Sequence, residues 1–184
     1  MRYFKAISIG ASLLLSAVAM NAQDGSEEVL RENVVHERNE MGQNVYRDAR
    51  ISDRPDTTVC FLYVGYKASG APWLRLQVRH AAFKSLGIQE IIFTKGKVSL
   101  AMKPSAELLH TGNNGVMQWE WYDAPPDENE MKAIDAIIDE PGVTLTLKGA
   151  KHTITRELTD LERAAMENML LQAVELGQAY EGKR

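Results

Sequence analysis

From Thr57 onward the chain alternates as strands do. In TVCFLYVGY, Cys60, Leu62 and Val64 fall on one face and Val59, Phe61 and Tyr63 on the other. Successive strand side chains point to opposite faces, so a segment apolar on both is expected to be central and covered twice. KASGAP, residues 67–72, reads as a turn. WLRLQVRH then alternates: Leu74, Leu76 and Val78 face the core, and Trp73, Arg75, Gln77 and Arg79 share the other side. IQEIIFTK and VSLAMK form a hairpin about Lys95-Gly96, where glycine supplies positive φ. Residues 104–115 read as an irregular connection ending in the turn GNNG. The strand that follows, from Val116 to Tyr122, puts Met117, Trp119 and Trp121 on its apolar face, expected in the core. Gln118, Glu120 and Tyr122 are expected outside.

The periodicity then changes to that of helices. Asp127 and Glu130 have the spacing of a capping box, with Pro126 and Met131 placed as the accompanying hydrophobic staple. Met131, Ile134, Ile137 and Ile138 follow on one face, and Pro141-Gly142 stops the helix. VTLTLKGAKHTITREL is a second hairpin, turning at Lys148-Gly149-Ala150. Thr159 and Glu162 form another capping box. It opens a final helix with the stripe Leu161, Ala165, Met169, Ala173 and Leu176, and with Gly177 as its C-cap. The expected class is α+β: an antiparallel, strand-rich sheet or sandwich covered by a mid-chain helix and a C-terminal helix. Residues 57–178 form the single domain and 179–184 a tail. No βαβ alternation supports a dinucleotide-binding sheet.

Upstream, residues 23–56 are polar and charge-rich. They read as a linker with a short helix capped by Ser26 and carried through Val29, Leu30, Val34 and Val35, with RDARISDRPD as a loop. The first 22 residues have the form of a signal peptide. Arg2 and Lys5 precede an apolar run from Ala6 to Ala19, which ends in small residues. Cleavage after Ala22 is preferred, with cleavage after Ala19 as the alternative. The run is too short to span a bilayer, which needs roughly 20 apolar residues. The expectation is a periplasmic or secreted protein with no stable membrane anchor after cleavage.

Composition narrows the function classes. Cys60 is the only cysteine, so an intrachain disulfide is excluded. Cys60 lies mid-strand in an apolar run, where burial suppresses the thiolate a nucleophile needs. Without residues 1–22 the chain keeps 162 residues, with 19 basic against 25 acidic side chains, a net of −6. That balance argues against nucleic acid as a partner. The histidines, His36, His80, His110 and His152, are dispersed and none has metal-site spacing, so no metal or cofactor is expected. No Walker loop, G-x-G-x-x-G or G-x-S-x-G is present.

MQWEWYDAP, the acidic helix, the short hairpin and the last amphipathic helix together resemble a group of uncharacterised exported bacterial proteins. The resemblance covers roughly residues 57–176, with the W-E-W-Y-D run as its most recognisable part. It implies a single exported domain and carries no activity or ligand.

Two surfaces remain as candidate sites. One is the strand face of Trp73, Arg75, Gln77 and Arg79. There a ring beside guanidinium groups can stack on a planar or sugar ligand and hold a carboxylate or sulfate. The plain alternative is a solvated face with Trp73 packed under a loop. The other is the outer edge formed by Glu120, Tyr122 and Asp123. The expected function is a non-enzymatic ligand- or partner-binding domain of the bacterial cell envelope, contacting a glycan or envelope protein through Trp73, Arg75, Arg79, Glu120, Tyr122 and Asp123. The alternative is an extracytoplasmic hydrolase acting on glycan or peptide, with a carboxylate pair drawn from Glu120, Asp123 and Asp127. A third reading is a subunit of an envelope assembly.

Overall fold

The computed structural model describes residues 31–67, 70–139 and 141–181. The signal-peptide and cleavage expectations, and the Ser26 cap, lie outside the described residues. As its two apolar faces require, β3 (Val59–Tyr66) is central. The larger sheet runs β1 (Val34–Arg38), β2 (Asn44–Asp48), β3, β4 (Trp73–Ala82), β8 (Gln118–Ala124), β7 (Leu109–Asn113). The smaller runs β10 (Thr153–Glu157), β9 (Thr144–Gly149), β5 (Ile88–Lys95), β6 (Val98–Met102). Every pairing among these strands is antiparallel. With α1 (Glu128–Asp139) and α2 (Asp160–Glu181), this is the expected α+β class.

One core joins the layers. Leu62, Val64, Leu76 and Val78 of the larger sheet meet Ile91, Phe93, Leu145 and Leu147 of the smaller. Ile134 and Ile137 of α1 and Met166 and Met169 of α2 join the same cluster. Both capping boxes form. Asp127 Oδ1 accepts from the Glu130 N–H at 2.8 Å, and Glu130 Oε2 accepts from the Asp127 N–H at 2.9 Å. Thr159 Oγ1 accepts from the Glu162 N–H at 3.1 Å, and Glu162 Oε2 accepts from the Thr159 N–H at 2.9 Å.

Local expectations fail at several points. Within the stretch read as a linker, Val34–Arg38 and Asn44–Asp48 pair as an edge hairpin. Val34 and Tyr46 turn inward, and the charges that suggested a linker suit an edge strand. The connection at 104–115 contains a 3-10 turn, Ala106–Leu108, followed by β7. Helix α2 runs through Gly177 to Glu181 rather than stopping there. Its inward side takes Glu162, Ala165, Met166 and Met169, leaving Leu161 43% exposed.

The correction with most consequence concerns the parity of β8. Glu120, Tyr122 and Ala124 are buried on the core side. Trp119, Trp121 and Asp123 therefore lie on the outer face with Trp73, Arg75, Gln77 and Arg79. Hydrophobicity misassigned the faces because the outer face is itself lined with half-buried aromatic rings.

Candidate functional site

The register of β3, β4, β8 and β7 assembles the outer face. Trp73 sits opposite Gly65, Arg75 opposite Tyr63, and Gln77 opposite both Phe61 and Asp123. Trp121 sits opposite Arg79 on one side and His110 on the other, and Trp119 opposite Gly112. The two glycines are needed by the indoles. A Cβ on Gly65 would lie 1.7 Å from the Trp73 ring, and one on Gly112 would lie 2.3 Å from Trp119 Nε1. Each tryptophan thus lies flat across its neighbouring strand. Tyr63 meets Trp73 edge to face with centroids 5.9 Å apart, and His110 lies against Trp121 at 5.1 Å.

Between these rings is a polar cluster centred on Asp123. Its carboxylate accepts from Tyr63 Oη at 3.0 and 2.9 Å, from Arg75 Nε at 2.5 Å and from Gln77 Nε2 at 3.3 Å. Arg75 Nη2 also donates to the Asp123 carbonyl at 2.7 Å. Burial, with the adjacent Asp123 charge, pushes the Tyr63 hydroxyl well above the usual tyrosine range, so it is a fixed donor. Burial works against the Arg75 charge, but the hydrogen bond and charge of Asp123 outweigh it and raise its pKa. Alongside lies a concavity of about 200 Å3 floored by Phe61 and Gln77 and walled by Arg47, Ile51 and Asp53.

The sequence-predicted residues divide. Trp73, Arg75 and Asp123 come together here. Arg79 is on the same face but works as a clip: it donates from Nε to the Thr57 carbonyl at 2.9 Å and from Nη2 to the Ser52 carbonyl at 2.8 Å. That pins the 52–57 loop over the sheet, and Arg79 is buried. Glu120 is on the opposite face. It accepts from the Ser85 hydroxyl and from the N–H groups of Leu86, Gly87 and Ile88 at 2.6, 3.0 and 2.9 Å. Burial works against its charge, but these donors prevail and hold its pKa below the usual glutamate range. Tyr122 is buried too, donating to Glu130 Oε1 at 3.3 Å. Burial and that carboxylate push its pKa up to about 12. Neither Glu120 nor Tyr122 belongs to the outer site.

Chemically the face can stack and hydrogen-bond. The carboxylates proposed as a hydrolytic pair are separated: Glu120 faces the core, Asp123 faces out, and Asp127 caps α1. Beside the concavity, Glu37 and Asp53 both bind Arg47, at 3.4 and 3.2 Å. Where a carboxylate shift is resolved, at Asp48, Asp56, Glu90, Glu120 and Glu162, it is downward, the reverse of what a general acid requires. Cys60 is fully buried, and burial pushes its thiol up. Among the described residues, no group of three His, Cys, Asp or Glu side chains is placed to hold a metal ion.

Sequence reasoning placed Gln77 on this face but missed Tyr63, Phe61, Trp119, Trp121 and His110 as parts of the same surface. A signal for Tyr63 was present: once the 67–72 turn sets Gly65 opposite Trp73, parity brings Tyr63 opposite Arg75. Comparison with protein-family models, curated proteins and solved structures finds no match to this chain.

Proposed function

We propose that the chain is an exported, non-enzymatic binding domain of the bacterial cell envelope, and that a glycan is the ligand of its outer sheet face. The observation that carries this is the preformed polar cluster of Tyr63, Arg75, Gln77 and Asp123 between the half-buried rings of Trp73 and Trp121. Aromatic faces stack on the C–H faces of sugars, and fixed donors and acceptors between them orient hydroxyl groups. The apolar run Ala6–Ala19 behind Arg2 and Lys5 supports export.

The test is a thermal-shift screen of the protein against envelope glycans and peptides. A ligand at a hundred times its Kd should stabilise by about 2.7 kcal/mol. Trp73→Ala and Trp121→Ala should abolish the shift while each variant still unfolds cooperatively. Arg79→Ala is unsuitable, because it would free a loop. Absence of any glycan shift, or a shift indifferent to both tryptophans, would sink the reading.

A further inference from the structure

The end of the larger sheet where β4 stops and β8 begins brings three loops together. Ser85 donates its N–H to Gln118 Oε1 at 3.0 Å, tying the 83–87 loop to the start of β8. The β7–β8 turn closes beside it, with the Asn114 N–H donating to the Met117 carbonyl at 3.1 Å. The β9–β10 tip abuts the same loop: Gly149 pairs with Ile88, and a Cβ on it would fall 2.0 Å from the Leu86 carbonyl oxygen.

At this end Phe83 is 73% exposed and Val116 67% exposed. Lys84 follows Phe83 in the chain and Lys151 sits on the β9–β10 tip, and both are exposed. Phe83 is not on a loose segment. The loop it opens is held through Ser85, Leu86, Gly87 and Ile88 by the buried Glu120 carboxylate. That carboxylate seats Leu86 and Ile88 in the core, so Phe83 projects from the start of an anchored loop. Residues 83–87, 114–117 and 150–152 contain no Asp or Glu, in a chain with net charge −4. The nearby acids are already engaged: Glu120 in the loop, Glu90 with Lys148, Asp53 with Arg47 and Asp56 with Arg54.

From this we infer that the Phe83–Val116 end is a membrane-contact tip. Phe83 and Val116 enter the interfacial zone of an anionic phospholipid bilayer, and Lys84 and Lys151 meet its headgroups. Exposed apolar side chains on loops that carry exposed lysines and no acidic residue match such a surface in both polarity and charge. The contact is peripheral: no described helix is long and apolar enough to cross a membrane. It is independent of the glycan reading, which concerns the sheet face rather than its end.

The experiment uses the full chain with Phe83→Cys, labelled with a polarity-sensitive thiol dye. Cys60 is buried and takes no label. Met41→Cys, on the exposed hairpin turn at the opposite end, is the control. On vesicles of phosphatidylcholine with phosphatidylglycerol, the dye at 83 should shift to the blue, with little change on phosphatidylcholine alone and none from position 41. Adding Lys84→Glu and Lys151→Glu should lower partitioning about thirty-fold or more, since each basic residue near an anionic surface contributes about 1 kcal/mol. Circular dichroism checks the fold of each variant, and Val116→Cys replaces Phe83→Cys if that one fails to fold. No shift on anionic vesicles, an equal shift on neutral ones, or an equal shift at 41 overturns the inference. A shift that grows with protein concentration without vesicles assigns the tip to a second copy and also overturns it.

Discussion

A glutamate on the core side of a sheet persists only if donors replace the water it has lost. Glu120 has them, from one hydroxyl and three backbone N–H groups. Glu120→Gln should therefore cost about 2 kcal/mol at neutral pH, because charge-assisted bonds become neutral ones and one acceptor is lost. The pH dependence follows from the lowered pKa. Stabilisation by the carboxylate is complete above the ordinary glutamate value of 4.5 and is lost as pH falls through the lower folded value. Urea midpoints for the wild type and Glu120→Gln should thus lie well apart at pH 7 and converge in acid. A gap independent of pH would mean that the loop is held by something other than the ionised carboxylate. Nothing in MQWEWYDAP announces this role. The partners lie more than thirty residues upstream and are mostly backbone, which carries no side-chain signature.

At the scale of elements, the start of α2 shows what residue types alone disclose. Thr159 and Glu162 specify a capping box, and it forms. The same glutamate also takes a two-point contact from Arg156, at 2.7 and 2.6 Å, and the Cys60 N–H at 2.8 Å. β2 pairs with β3 only over Val64–Tyr66, so the edge of β3 at Cys60 is open and α2 closes it. That second role depends on where strand pairing ends, which local spacing does not encode. Parity at β8 failed for a related reason: alternation locates two faces but does not say which is the core when both carry rings. The edge hairpin was hidden by its charge, although Asn39 and Gly42, with φ of 70°, form its turn. Glu162→Ala should cost about 3 kcal/mol or more, because it leaves Arg156 partly buried without its carboxylate. Arg156→Met with Glu162→Met should cost less than the single change. Denaturation of Arg156→Met, Glu162→Met and the double variant measures this directly. Additive losses would show that the pair is not coupled.

For the whole molecule, the decisive feature is that both sheets and both helices share one core. The outward faces differ. The smaller sheet presents Thr94, Ser99, Thr146 and Thr155, whose hydroxyls lie within hydrogen-bond reach in pairs, Thr94 with Ser99 at 3.3 Å and Thr146 with Thr155 at 2.9 Å. The larger presents the tryptophans. This distribution supplies a test of cooperativity, because Trp73, Trp119 and Trp121 are the chain's three tryptophans and all lie on the larger sheet. Leu147 is buried in the smaller sheet, within the shared core. Leu147→Ala should cost about 2–5 kcal/mol through the cavity it opens. If the core is one cooperative unit, tryptophan fluorescence on the far sheet must register that loss in full, with a midpoint shift equal to that of far-ultraviolet circular dichroism. A dichroism change that precedes the fluorescence change would mean that the smaller sheet unfolds separately. The rigid outer face would then rest on the six-stranded sheet alone.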